Sequence, residues 1–299
     1  MRGRLLLVLA AAAVLAGCGT AVRLAYNNSD FALRLMANEY FDLEGDQVDI
    51  LKAQLARFHE WHRREEMPIY ASVFRSAAER VADGIERADV VWAVAEVRAR
   101  YLALATQGSE EAAPVVASLK PDNFAALEKK FARGNAKFTK EYLSGDQAKR
   151  DRVRAKRFEE QFEMFMGDLT DEQRELILRF AQSQPRMSEV RLDERKRRQQ
   201  EFVQLIKQYQ TSPELAERLG DYFGNWERDG SPEHAQLVRE WEDRLVKLIL
   251  DIDRTMTAEQ RSRLVQRFEA YAEDCQVLAR QGRPAGEVRA ALLDLGLAH

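Results

Sequence analysis

Cysteine is scarce in this chain: two in 299 residues, Cys18 and Cys275. At most one disulfide could form, and none if either thiol is otherwise engaged, so packing must hold the fold. Proline and glycine are also few, seven and 15, which argues against β-rich and disordered architectures. Histidine occurs four times, once as the terminal His299. There is no Gly-rich phosphate loop and no Gly-x-Ser-x-Gly elbow. A Cys–His nucleophile pair has little material to be built from. The longest apolar run, Leu5 to Leu15, is about half the ~20 residues of a membrane-spanning helix. A surplus of one charge is missing too. Without Arg2 and Arg4, 44 basic side chains remain of the 46, against 49 acidic ones. That balance supplies no general attraction to nucleic acid or anionic lipid.

What is present begins at the N-terminus. Arg2 and Arg4 precede the apolar run, and Leu15-Ala16-Gly17-Cys18 closes it. A positive start, a short apolar stretch, small residues and a cysteine at the cleavage point form the pattern of a bacterial lipoprotein signal. An ordinary secretory peptide has no need of that cysteine. We therefore expect residues 1–17 to be a signal peptide and Cys18 to be the lipid attachment site. By the sorting rule of Gram-negative lipoproteins, Asp after the cysteine retains a protein in the inner membrane. Gly19 favours the outer membrane, facing the periplasm. After acylation Cys275 is the single free thiol.

Hydrophobic content of 45% with 32% charged residues suits a packed helical protein with a charged exterior. Apolar residues recur at helical spacing: Val48, Leu51, Leu55, Phe58 and His62; Val238, Trp241, Leu245, Leu248 and Ile252; Leu264, Phe268, Tyr271, Cys275 and Leu278. These read as seams of antiparallel helix packing. A short pattern punctuates the chain, an apolar residue and then an acid followed by Gln or Asn. It stands at Leu43–Gln47, Leu119–Asn123, Leu143–Gln147, Leu169–Gln173 and Met256–Gln260. In the last two, Thr and a Gln three residues on make a capping box; Pro121 fits a first helical position. The spacings are irregular, so this is no solenoid. Ser212-Pro213-Glu214 and Ser231-Pro232-Glu233 are further helix starts, and Gly108, Gly230 and Gly282 fit helix ends. The predicted fold is all-α, an antiparallel bundle-like array of about ten helices. Starts lie near 29, 44, 68, 88, 109, 121, 146, 171, 188, 213, 232 and 258, with room for some of them to merge. Residues 18–28 form a short lipid tether, and 29–299 a helical periplasmic domain with room for two sub-bundles. Val22, Leu24 and Tyr26 predict that the tether docks on the domain, and Phe31 and Leu35, one turn apart on the helix that follows, are expected to extend that apolar contact.

The best candidate for chemistry is Phe58-His59-Glu60-Trp61-His62-Arg63-Arg64-Glu65-Glu66. His59, His62 and Glu66 share a helix face that could hold a metal. It is not the zinc-protease motif, because the second His comes one residue early. A buried, hydrogen-bonded histidine flanked by aromatics accounts for the same residues. Two basic runs, Lys149 to Arg157 and Arg191 to Arg198, could meet lipopolysaccharide phosphates or an anionic leaflet. Equally, they could be solvated helix faces paired with Glu159, Glu160 and Glu201.

At Tyr26-Asn27-Asn28, Tyr40-Phe41-Asp42-Leu43 and His59-Glu60-Trp61-His62-Arg63-Arg64-Glu65 the chain resembles an uncharacterised helical lipoprotein family of proteobacteria, domain of unknown function 6279. The likeness extends through Leu169–Arg174 to Met256–Arg261. It implies an envelope lipoprotein with no assigned activity. Leu169-Thr170-x-x-Gln173 also resembles the motif of small periplasmic stress chaperones of the Spy and CpxP type, although Met256 replaces Leu in the second copy. The expectation is a monomeric or weakly associating, lipid-anchored protein of the outer membrane's periplasmic face. It is non-enzymatic, needs no cofactor, and acts as a scaffold or binding protein for envelope partners, with no nucleic acid. A chaperone-like holder of envelope proteins is the first alternative, and a metal-dependent enzyme using the His59/His62 face the second.

Overall fold

A computed structural model describes residues 19–183, 187–225 and 230–281. Cys18, Gly282 and His299 lie outside the described residues. Every regular element among those described is helical. In order they are α1 (Gly19–Asn27), α2 (Ser29–Phe41), α3 (Asp46–Trp61), a π-helical turn (His62–Glu66), α4 (Met67–Ala82), α5 (Arg87–Ala117) and α6 (Pro121–Phe138). A second π-helical turn (Thr139–Leu143) leads to α7 (Gln147–Met166), α8 (Asp171–Gln182), α9 (Met187–Tyr209), α10 (Leu215–Gly224), α11 (Pro232–Arg254) and α12 (Ala258–Gln281).

The recurrent pattern does more than start helices. Its first two copies face each other. Gln47 accepts the Glu44 N–H at its own helix start (3.1 Å) and donates across to the Ser118 carbonyl (2.7 Å) and to Asn123 Oδ1 (2.8 Å). Asn123 accepts from the Lys120 N–H (2.7 Å) and donates back to the Phe41 and Asp42 carbonyls (2.7 and 3.0 Å). The fourth and fifth copies repeat the exchange. Gln173 and Gln260 form a reciprocal amide pair at 2.9 and 3.0 Å. Each accepts its own capping-box N–H, from Thr170 and Thr257, and each donates to the loop before the other helix, at Thr255 and Asp168. All four side chains are buried, and the swap satisfies helix-start and loop groups that would otherwise be orphaned. The third copy stands alone: Asp146 caps the Lys149 N–H, while Gln147 is exposed and reaches only Asp151.

Each amide pair sits beside its own apolar cluster. One gathers Leu43, Leu51, Leu119, Leu127, Ile206 and Leu219. The other gathers Met166, Leu169, Ile177, Phe180, Leu248 and Ile252. A third, smaller cluster of Met67, Ala71, Cys275, Leu278 and Ala279 joins α4 to α12. Phe74, Phe268, Tyr271 and Phe165 extend it, with ring centroids 5.4–6.3 Å apart.

Gly108 and Gly230 do not end helices, and the expected tether is helical. The helices expected from 88 and from 109 are one, α5, and Gly108 lies in its interior. Ser109 does not cap a new helix. Its hydroxyl donates to the Ala105 carbonyl (2.6 Å) and is buried where Gly220 of α10 crosses, so the helix runs on. Gly230 likewise precedes a helix rather than ending one, next to the Ser231 cap on the His234 N–H. The stretch read as a tether is itself α1. Arg23 binds Asp274 of α12 (2.8 Å), and Tyr26 packs on the third apolar cluster, but Leu24, Phe31 and Leu35, expected to share that docking, are exposed because they lie on the opposite side of the helix. The α1–α2 junction is closed by Asn28 N–H to the Leu24 carbonyl (3.1 Å) and Ala32 N–H to the Asn28 carbonyl (3.4 Å).

Candidate functional site

α3 does not stop at Trp61. Pro68 has no N–H for the Arg64 carbonyl, and its ring crowds the preceding turn. The chain answers with the wide turn His62–Glu66, in which the Met67 N–H reaches back to the His62 carbonyl. Single π-turns of this kind re-aim side chains. Here the turn sets His62 against α1, with the Tyr26 hydroxyl 2.8 Å from His62 Nδ1. The Tyr26 ring stacks on His62 (centroids 5.7 Å) and meets His59 edge-on (4.7 Å). Phe58 and Tyr70 flank His62 at 6.0 and 5.5 Å. Arg63 lies over the Tyr26 ring at 5.3 Å and donates to Asn27 Oδ1 at 2.6 Å.

Burial sets the electrostatics. Desolvation, helped by neighbouring His59, lowers the His62 imidazole to about 4. Desolvation and then Arg63 lower His59. Burial raises the Tyr26 phenol, with Arg63 pulling the other way. At neutral pH the cluster is therefore a phenol beside two uncharged imidazoles. An imidazole held so low, with Nδ1 engaged by Tyr26, is a poor general base. His59 Nε2 is covered and has no hydrogen-bond partner among the described residues. An open groove of about 600 Å³ runs past His59, bordered by Asn27, Asp30, Arg34, Glu60 and Arg63.

The proposed metal face is not assembled. Glu66 turns away from the histidines and is buried, 3% exposed, with both carboxylate oxygens on Arg100 Nη1 at 3.1 and 3.2 Å. The pairing with Arg100 of α5 is the reason, because a buried carboxylate needs a compensating charge and this guanidinium supplies it. Among the described residues no group of three or more His, Cys, Asp or Glu could hold a metal ion. His59 and His62 do come together, and the third member of their cluster is Tyr26, from a helix that sequence spacing does not connect to them.

Cys275 lies beneath Tyr26, its thiol pushed up to about 12 by burial and then by Asp274. In a chain starting at Gly19 it is the sole cysteine. We expect maleimide to label it at least ~100-fold more slowly than a free thiol, and removal of residues 19–28 to speed that labelling by uncovering it. Fast labelling of the longer chain would refute the packing of α1.

The basic runs are largely engaged within the fold. Arg150 pairs with Glu189 (2.8 Å), Arg154 with Asp151, Arg157 with Glu141, and Arg197 with Glu194 and Glu201. Glu159, an expected partner, binds Arg174 of α8 instead. The family described as "Family of unknown function (DUF6279)" matches residues 39–234. That span holds His59, His62 and four of the five pattern copies, and leaves out Tyr26, Thr257 and Gln260. No curated protein and no solved structure matches the chain.

Proposed function

The chain belongs to this family of unknown function, and we propose that it is a lipid-anchored envelope protein, attached through Cys18, that lies flat on the periplasmic face of the outer membrane and serves as a non-enzymatic scaffold or binding protein. The observation that carries this reading is the outer face of α1 and α2. Leu24, Phe31 and Leu35 are 64%, 52% and 42% exposed. Their spacing of seven and four places them on one stripe of a nearly continuous helix, opposite the face that Tyr26 turns to the core. α1 begins one residue after Cys18, so an acylated Cys18 leaves no slack and holds this stripe at the bilayer. An amphipathic helix beside an acyl chain is the two-signal arrangement that makes membrane attachment durable. No helix of the described residues is itself long and apolar enough to cross a membrane.

The chaperone alternative has less to stand on. The Thr and Gln atoms of the Leu169–Gln173 and Met256–Gln260 copies are engaged in capping and in the buried amide pair, and offer nothing to a client.

Two measurements test the reading. Labelled palmitate should enter the wild-type protein and not Cys18→Ser. Separately, the unlipidated chain from Gly19 should co-sediment with phosphatidylethanolamine–phosphatidylglycerol vesicles. The triple change Leu24→Ser, Phe31→Ser, Leu35→Ser should weaken that at least ~10-fold, as three apolar side chains lose burial. Palmitate entering Cys18→Ser would overturn the anchor; unchanged sedimentation of the triple variant would overturn the membrane-facing stripe.

A further inference from the structure

A second concavity lies far along the chain from the anchor and owes nothing to it. It is a cleft of about 260 Å³ where α7, α8, α9 and α11 meet the second π-turn and the last residue of α6 before it. Its walls are rings. Phe158 and Phe180 meet edge-on at 4.9 Å, and Phe138 and Tyr142 tilt together at 4.8 Å. Trp241 of α11 lines the cleft as well. Among the rings stand three arginines, drawn from both basic runs. Arg157 lies over Tyr142 at 5.5 Å and Arg191 over Trp241 at 5.4 Å. Arg154 is the most covered, its side chain 12% exposed.

The charges of this cleft are unevenly matched. Arg154 and Arg157 have carboxylate partners in Asp151 and Glu141, but among the described residues Arg191 has none. Arg154 sends Nε and Nη2 to the Ala181 carbonyl (3.3 Å each), and its Nη1 is covered, without an acceptor among the described residues. Apolar walls with a few convergent polar groups are the usual make-up of a small-molecule site. Flat rings carrying guanidinium groups on their faces suit a flat, negatively charged guest.

We propose that this cleft is a binding site for a small aromatic anion, its ring system held among Trp241, Phe158 and Tyr142 and its carboxylate or phosphate taken by Arg191, with Arg154 and Arg157 adding positive charge at the wall. The site explains why the two basic runs, separate in sequence, converge on one aromatic hollow. It also supplies a ligand to a protein whose anchor alone gives it no activity.

Calorimetric titration of the chain from Gly19, which contains every contact described above, tests this with three probes. These are 2-naphthoate, 2-naphthalenemethanol (the same rings without charge) and octanoate (the same charge without rings). We expect one equivalent of 2-naphthoate to bind with Kd on the order of 0.1 mM, the ceiling for so few atoms being modest, and both other probes to bind at least ~10-fold more weakly. Arg191→Gln, an exposed position whose change leaves the helices in place, should weaken 2-naphthoate at least ~10-fold. Trp241→Leu should do the same, with helicity by circular dichroism confirming the fold of each variant. Equal affinity for the uncharged alcohol would overturn the role of the arginines, and equal affinity for octanoate that of the rings. No binding of 2-naphthoate at 1 mM ~ten times the expected Kd, or full affinity in Arg191→Gln, would overturn the site.

Discussion

Gln173→Leu is expected to cost the protein about 4 kcal/mol of unfolding free energy, while Gln147→Leu, at the matching position of the third pattern copy, costs under about 1 kcal/mol. The difference lies in what each amide does. Gln173 has no exposed surface, and its amide accepts from Thr170 N–H and Gln260 and donates to the Thr255 carbonyl and Gln260. Leucine keeps the volume but satisfies none of them. It leaves a helix-start N–H, a loop carbonyl and the facing Gln260 amide short of partners, at about 1–3 kcal/mol for each group that water cannot reach. Gln147 is exposed and loses one bond to Asp151. Gln260→Leu should resemble Gln173→Leu, and the double change should cost less than their sum, because each single change already breaks the shared pair. Urea unfolding of the four variants measures this. Equal losses for Gln173→Leu and Gln147→Leu would show that the amide exchange contributes nothing beyond an ordinary helix cap.

The same pattern shows how far the sequence carries. The five copies were legible as helix starts because capping is local: Thr170 and Gln173 are three residues apart, and the physics joining them needs no tertiary information. That copies would meet in pairs was not legible. Gln173 and Gln260 are 87 positions apart, and nothing in either copy marks it as having a partner while the third has none. That the starts at 88 and 109 are the ones that merge, into α5, was not legible for the opposite reason. Gly108-Ser109 carries a local turn signal, and packing of Ser109 against Gly220 overrode it. At the candidate site, His59 and His62 were found by their rarity and spacing. Glu66 was misplaced because its partner, Arg100, stands 34 positions away on another helix and nothing local announces the pair. Tyr26 belonged to a stretch read as a tether, so its hydrogen bond to His62 could not be anticipated from spacing. The basic runs were visible as charge, but the ring-lined cleft they share depends on the meeting of four helices.

Acid should destabilise the fold through His62 over a definite window. The imidazole titrates near 6.5 when unfolded and about 4 in the fold. Between those values the unfolded chain binds a proton that the folded one refuses, so stability falls as pH drops below the unfolded value. It stops falling on this account once pH passes the folded value. Integrated across the window, the loss is about 3 kcal/mol. The structural cause is the cover provided by Phe58, Tyr70 and Tyr26, which strips water from the imidazole, with neighbouring His59 adding to it. His59 adds in the same direction, since its imidazole is also lowered. His62→Gln keeps a hydrogen-bonding side chain but cannot titrate. The variant should be less stable than wild type at pH ~7, where the native contact is intact, and should lose less stability on acidification to pH ~4.5. Carboxylates titrate over part of this range in both proteins, so the comparison is between slopes: wild type should fall more steeply. Parallel curves of unfolding free energy against pH for wild type and His62→Gln would mean that His62 is free to protonate in the fold, and that the contact with α1 does not bury it.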